Sequence, residues 1–452
     1  MRERLLLCHW TDLIGILFVF LFSCSAVSAG ETFSNPIIPS PSADPFVVQH
    51  EGYYYHIHRI GQERAPGIAI RKTEDLSRLG NTKPQWVWSA PSSGPYSREI
   101  WAPELHYYKG RWYIYVAADG GRNEDHQMWA IESEGSDPMG PYNQTPYHLE
   151  TGGWAIDGTL LVDSENKPYF IWSGWPGKVD GVQNLYIAPM ESPTKIVVQR
   201  TLLSEPDQAW EQRSDHLRGL LEGPQILYRK NKIFIIYSAS GSWSEHYCLG
   251  MLEYLGGDMC NPENWKKHKD APVFSGEDKV LGTGHCSFVK SPDGKEDWIV
   301  YHTKQKKEHG WGDRCVHTQP FSFNDSDLPV FGKPIQPAAE ILKPSGTAAR
   351  PVIVRDNFSD TWVATDGLGR SLPTAEEVGA LKGKKAVGMF YFLWMGAHGT
   401  EGPFDVSKIM EKYPEAINDQ NHPAWGPLMK YHHWGKSWFD YYLSTDEAVF
   451  EK

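Results

Sequence analysis

Leu220-Leu221-Glu222-Gly223-Pro224-Gln225-Ile226-Leu227-Tyr228 is followed by Arg229-Lys230-Asn231-Lys232 and then by Ile233-Phe234-Ile235-Ile236-Tyr237-Ser238. A carboxylate heads a short apolar run, a polar tetrapeptide turns the chain, and a β-branched and aromatic run returns, so the stretch reads as a hairpin with an acid at its mouth. The same unit occurs four more times. Ala43-Asp44-Pro45-Phe46-Val47-Val48 turns at Glu51-Gly52 into Tyr53-Tyr54-Tyr55-His56-Ile57, and Ala102-Pro103-Glu104-Leu105-His106-Tyr107 turns at Lys109-Gly110 into Trp112-Tyr113-Ile114-Tyr115-Val116. Ile156-Asp157-Gly158-Thr159-Leu160-Leu161-Val162 turns at Glu165-Asn166 into Tyr169-Phe170-Ile171-Trp172, and Gly284-His285-Cys286-Ser287-Phe288-Val289 turns at Asp293-Gly294 into Trp298-Ile299-Val300-Tyr301.

β units recurring about every 55 to 65 residues, each too small to bury its own faces, indicate radially repeated sheets, here an all-β propeller of about five blades. The first strand of each blade lines the axis of such a fold. Asp44, Glu104, Asp157, Glu222 and His285 are therefore expected to face one another at one end of the axial cavity. Taken singly, each also reads as a polar residue that starts a strand.

The chain has 452 residues, enough for more than one domain, and a net charge of −12 without a basic run, which argues against a nucleic-acid partner. Its 19 Trp, 22 Tyr and 18 Phe serve a propeller core and can also stack on the apolar faces of sugars. Arg2 and Arg4, the apolar run Leu13–Phe22 and the small residues Val27-Ser28-Ala29 read as a secretory signal over residues 1–29, not as a membrane span. A secreted or periplasmic location follows. Leu21-Phe22-Ser23-Cys24 resembles a lipoprotein cleavage box that would anchor lipid at Cys24, but Phe22 is bulky where a small residue is expected. Removal of the signal leaves Cys248, Cys260, Cys286 and Cys315, which could form disulfides or remain buried thiols; no pair has zinc-site spacing.

The repeats occupy a domain of residues 30–344, followed by a linker at 345–355 and a different module at 356–452. Ala386–Trp394 is a nearly continuous apolar run suited to a strand buried on both faces, Asp405–Lys412 reads as a capped helix, and Ser444–Phe450 as the start of another. These few elements cannot bury a full core, so this region is expected to be an incomplete α/β module.

Three carboxyl groups, Asp44, Asp157 and Glu222, converge from three blades, and like charges that close raise at least one pKa, as a general acid working near neutrality requires. Two carboxyls on opposite sides of a glycosidic bond suffice for hydrolysis, one protonating the leaving oxygen and the other deprotonating a water. A gap of about 6.5 to 9.5 Å between them admits that water and inverts the anomeric centre.

At these residues the sequence resembles glycoside hydrolase family 43. The resemblance rests on Asn35-Pro36 leading to Ala43-Asp44-Pro45, on Trp101-Ala102-Pro103-Glu104, Ile156-Asp157-Gly158, Glu222-Gly223-Pro224 and Gly284-His285, and on Arg314 ahead of Phe321, in that order and spacing. It implies an inverting five-bladed propeller with Asp44 as general base, Glu222 as general acid and Asp157 as the group that modulates the acid. His285 would sit on the axis where family members hold a calcium ion or a water cluster; an imidazole suits water-mediated contact with calcium better than direct ligation, and a histidine hydrogen-bonded within the axial network without metal is the equal alternative. No cofactor beyond such an ion is implied. Arg314 matches the arginine that reaches the sugar or the acid, with a surface ion pair as its plain reading. Trp101 is the expected stacking platform, with blade core as the alternative, and Glu104 is expected to be structural or to line a subsite. The implied substrate is an oligosaccharide or polysaccharide, and the implied activity is exo-acting α-L-arabinofuranosidase, with β-xylosidase and galactofuranosidase as rivals. A carbohydrate-binding propeller without turnover, or a scaffold, is the reading from another class. The C-terminal region resembles the opening of a secreted eight-fold β/α-barrel module of families 71 and 99, through Thr361–Arg370 and the strand ending at Trp394.

Overall fold

The computed structural model describes residues 31–63, 65–197, 199–213, 219–308, 310–348, 404–426 and 432–433. The expected signal segment, the runs 361–370 and 386–394 and the segment 444–450 lie outside the described residues. The chain divides into two units, Met1–Arg350 and Pro351–Lys452. In the second, the helix Val406–Lys412 is capped by Asp405, whose side chain accepts from the backbone of Ser407 and Lys408, as its sequence predicts.

The first unit is a five-bladed β-propeller of antiparallel sheets. Each quoted hairpin supplies the two inner strands of a blade: Phe46–His50 with Tyr53–Gln62, Arg98–Tyr108 with Arg111–Asp119, Ala155–Val162 with Pro168–Gly174, Leu221–Arg229 with Lys232–Ala239, and Leu281–Lys290 with Asp297–Lys304. Two of the turns have the left-handed residue pairs that match strand twist, Glu51 (φ 47°) with Gly52 (φ 81°) and Lys109 (φ 47°) with Gly110 (φ 89°).

The second strand of each blade is apolar on both faces because each blade is sandwiched between two others. In the fourth blade, Ile233, Ile235 and Tyr237 pack against Leu161, Ile171 and Leu185 of the third. Alternate residues Phe234 and Ile236 pack against Ile299, Tyr301 and Phe321 of the fifth. The period of two that distinguishes strand faces thus sends successive side chains into different inter-blade cores. Blade two repeats the device: Trp112, Ile114 and Val116 face blade one, while Tyr113, Tyr115 and Ala117 face blade three.

Closure joins the first blade to the fifth. Val47 N–H donates to Ser287 Oγ, Ser287 Oγ–H donates to Pro45 O, and Tyr54 O–H donates to Lys290 O. Thr32–Phe33 pairs antiparallel with Ile341–Leu342, and the Asn35 amide exchanges two hydrogen bonds with the backbone of Thr318, at 2.9 and 3.0 Å. The ring is therefore sealed by segments from both ends of the repeat region, leaving no free inner edge there. Cys248, Cys260, Cys286 and Cys315 are free thiols, so the disulfide alternative is not realised. Among the described residues no helix is long and apolar enough to cross a membrane.

Candidate active site

The inner strands do not run straight to the cavity. Registers shift between Trp101 and Glu104, Ile156 and Thr159, Glu222 and Gln225, and Gly284 and Cys286, so a bulge interrupts each of these strands at a comparable place. The residue in the bulge has left-handed backbone: Ala102 (φ 41°), Asp157 (φ 53°), Gly223 (φ 53°) and His285 (φ 45°), with Asp44 (φ 50°) at the corresponding point of blade one.

This corrects the expected ring of four acids and a histidine in a single register. Asp44, Asp157 and His285 are equivalent, whereas Glu222 comes one residue before its bulge and Glu104 two residues after. Glu104 is buried, does not line the cavity, and bonds deeper in the fold to the side chains of Gln225 on blade four and His106. It ties two blades together as an internal structural group, which excludes the subsite-lining reading.

The cavity at the bulged ends has a volume of about 890 Å³ and is lined by Asp44, Asp157, Glu222, His285, Arg314 and Trp101, among others. All six residues expected at the site therefore meet in one place. Their environments differ sharply. Asp44 Oδ1 lies 3.0 Å from Arg314 Nη1, 3.2 Å from His302 Nδ1 and 3.3 Å from His285 Nδ1. Burial alone would raise its pKa, but the Arg314 guanidinium, above all, holds the carboxyl well below the usual range, so Asp44 is ionised.

Glu222 shows the opposite balance. Burial, helped by the charge of Asp44, pushes its pKa up to about 7, against the lowering effect of hydrogen bonds from Tyr247 and Ser242 and of the Arg314 charge. Tyr247 O–H donates to Glu222 Oε1 at 2.8 Å. Asp157, buried and repelled by Glu222 and Asp44, is also raised well above its ordinary value, and its Oδ2 accepts from Gly223 N–H at 3.0 Å. That bond attaches Asp157 to the backbone next to Glu222. Gly223 permits the left-handed turn that presents this N–H.

Arg314 was expected to reach the sugar or the acid. It lines the cavity, its charge reaches Glu222, it pairs directly with Asp44, and its Nε donates to Trp311 O at 3.2 Å. Trp101 combines both of its readings: it borders the cavity, but its ring packs on His126 at 4.1 Å and its Nε1–H donates to Glu99 Oε2 at 2.9 Å. His285 has its Nδ1 against Asp44, and burial keeps the ring neutral. Among the described residues no three His, Cys, Asp or Glu side chains converge as a metal-binding set. With Arg314 on the same Asp44 oxygen, this donor set does not fit direct ligation of calcium by His285.

Sequence reading missed several residues. His302, whose pKa burial pushes down to about 4, receives the backbone N–H of Asp44 on Nδ1 at 3.2 Å; it stands in a second strand, where an apolar run disguises it. Trp154 and Trp175 stack at 4.4 Å and 7°, and Trp243 meets Trp311 edge-on at 5.6 Å; all four line the cavity from loops or strand ends that carry no repeat signal. A second buried pair, Asp119 and His126, sits 3.0 Å apart behind Trp101.

A family model for glycosyl hydrolases family 43 matches residues 33–329. An extracellular exo-α-(1→5)-L-arabinofuranosidase of Streptomyces avermitilis is 31% identical over 323 residues, spanning 68% of this chain and 65% of that protein. Its namesake from Streptomyces chartreusis is 31% identical over 326 residues, spanning 68% of this chain and 98% of that one. Among solved structures, an α-L-arabinofuranosidase from Lactobacillus brevis is 32% identical and superposes with a TM-score of 0.61 over 67% of this chain and 97% of that one. The propeller, the order of its bulged motifs and these matches together make the chain a glycosyl hydrolase belonging to family 43.

Proposed function

We propose that this hydrolase removes terminal α-L-arabinofuranosyl residues from plant polysaccharide with inversion at the anomeric carbon. Asp44 takes a proton from water as that water attacks C1. The C1–O bond breaks on the opposite face, and Glu222 gives its proton to the departing oxygen. Asp157 keeps the acid protonated and in place through charge and through the Gly223 N–H. The observation that carries this reading is the sorting of carboxyls in one cavity: Asp44 is held ionised chiefly by the Arg314 guanidinium at 3.0 Å, while burial pushes Glu222 up to about 7. A base and an acid must differ in this way before substrate arrives.

The arabinofuranosyl assignment draws on the names of the relatives, and export on the extracellular naming of two of them. A calcium ion at the axis, within this reading, would be held through water. Purified protein is tested on nitrophenyl α-L-arabinofuranoside, β-xyloside and β-galactofuranoside, with NMR of the first anomer released. Turnover of the xyloside or galactofuranoside alone reassigns the sugar, and a retained anomer refutes the acid–base assignment. Sugar binding without turnover of any substrate supports a binding propeller instead. Asp44→Ala or Glu222→Ala at full activity refutes the roles given to those groups.

A further inference from the structure

We infer that Tyr247, stacked on His302, is a positioning residue that holds the acid and the base in fixed relation from the interior side of the site. The inference rests on the proposed role of Glu222 as acid and goes beyond it. Three independent contacts place Tyr247 there. Its O–H reaches Glu222 Oε1 at 2.8 Å. Its ring lies parallel to the His302 imidazole, with centroids 5.2 Å apart and 12° between planes, and that imidazole accepts the backbone N–H of Asp44. The third contact is steric. A Cβ on Gly284 would come within 2.2 Å of the Tyr247 ring. Gly284 is not among the residues with left-handed backbone, so space explains this glycine, not conformational freedom. The Gly284-His285 motif therefore makes room for Tyr247 as well as delivering His285.

The loop that delivers Tyr247 is itself fixed. Ser244 N–H donates to Gly241 O, Gly282 N–H to Glu245 O, and Gly310 N–H to Trp243 O, at 2.9, 3.1 and 3.0 Å. The same loop sends Ser242 to Glu222, so one connection provides two donors to the acid. Around Glu222 stand Asp44, Asp157, Arg314, Ser242 and Tyr247. Of these, Tyr247 is the neutral donor that is fully buried and so keeps one geometry. A donated hydrogen bond favours the carboxylate over the carboxylic acid, so Tyr247 restrains an upward shift that burial alone would carry further. It also restricts where the proton can be delivered, and a displacement of about 1 Å at such a group costs about a hundredfold in rate.

The test compares Tyr247→Phe, Gly284→Ala and Glu222→Gln with the parent protein, using arabino-oligosaccharide and nitrophenyl arabinofuranoside and recording kcat/KM against pH. Tyr247→Phe keeps the ring and removes only the donor. Its alkaline limb is expected to move to higher pH, and its kcat to fall about tenfold to a hundredfold on the oligosaccharide. The loss should be smaller on the nitrophenyl substrate, whose leaving group needs less protonation, with KM changed by no more than about twofold. Gly284→Ala, which displaces the ring while keeping the hydroxyl, is expected to move the same limb in the same direction. Tm and circular dichroism report folding separately. A folded Tyr247→Phe variant with the parental alkaline limb and parental dependence on leaving group overturns the inference. Glu222→Gln at parental activity overturns the acid assignment beneath it. Inactive Glu222→Gln beside an unperturbed Tyr247→Phe separates the two, retaining the acid and rejecting Tyr247.

Discussion

Arg314 is the strongest opposing charge on the expected base, and its removal gives a signed, measurable outcome. The guanidinium and Asp44 Oδ1 are 3.0 Å apart, with their side chains 14% and 25% exposed. With charge centres about 4 Å apart and an effective dielectric near 20, the attraction is about 4 kcal/mol, or about 3 pKa units at about 1.36 kcal/mol per unit. Solvent reaching a quarter-exposed carboxylate screens part of this, which leaves about 1 to 2 units. Arg314→Leu keeps comparable bulk and removes the charge. Burial, the largest single influence on Asp44, then acts against a weaker opposition, so the pKa rises. The acidic limb of kcat/KM on nitrophenyl arabinofuranoside should climb by that amount. The alkaline limb should also move up, because Arg314 lowers Glu222 as well. The linked stability effect has a definite sign. In the parent, a depressed Asp44 stabilises the fold above the ordinary aspartate range, and that stability is lost as pH falls through the folded value. Arg314→Leu should therefore lower Tm more at neutral pH than in acid. A folded variant whose acidic limb stays where the parent has it would refute the assignment of Asp44 as the group that must be ionised.

Gly158→Ala should lower Tm by an amount equivalent to about 1 to 3 kcal/mol, because a Cβ there would sit 2.1 Å from Phe170 Cζ inside an inter-blade core; thermal denaturation checks it. Trp311→Ala removes a half-exposed ring at the cavity rim, along with its Nε1–H bond to Ser242 Oγ at 3.2 Å. Its KM for arabino-oligosaccharide should rise about 2- to 10-fold, with less change on the small nitrophenyl substrate, as steady-state kinetics would show. On the proposal that a calcium ion would be held only through water and would take no part in the proton transfers, prolonged dialysis against EDTA should leave kcat/KM within about twofold of the untreated protein. A large loss restored by calcium would contradict this.

The propeller was legible because its physics repeats. Residues such as Ile233–Tyr237 face alternate blades at successive positions, and that arrangement writes a continuous apolar run after every turn. The convergence of Asp44, Asp157, Glu222, His285, Arg314 and Trp101 was legible for the same reason, since motifs at matching points of a ring must meet. Finer register was not. A bulge shifts a side chain by one or two places without leaving a period in the sequence, so Glu104 looks equivalent to the acids although it lies deeper and bonds Gln225. Arg314 could be placed at the site but not paired, because its partner is 270 positions away. Tyr247 and the loop tryptophans belong to connections whose conformation depends on contacts between blades, such as Gly310 with Trp243, and His302 is hidden inside the apolar second strand of its blade.

Asp44 and three of the four bulge residues, Ala102, Asp157 and His285, hold a left-handed backbone without being glycine. Each such residue costs about 1 to 2 kcal/mol, and aspartate and histidine tolerate it better than most. The strain falls at the rim of one cavity. A straight strand would point its alternate side chains along the axis. A bulge instead re-aims one residue in each of four blades toward the mouth, where Asp157 can meet the Gly223 N–H; in blade one the left-handed Asp44, just before the strand, meets Arg314 there. The contacts that select a charged or neutral state for each carboxyl therefore depend on the distortion. A rigid scaffold of five packed sheets supplies what keeps that distortion from relaxing, and the strained positions are accordingly where function and stability pull against each other.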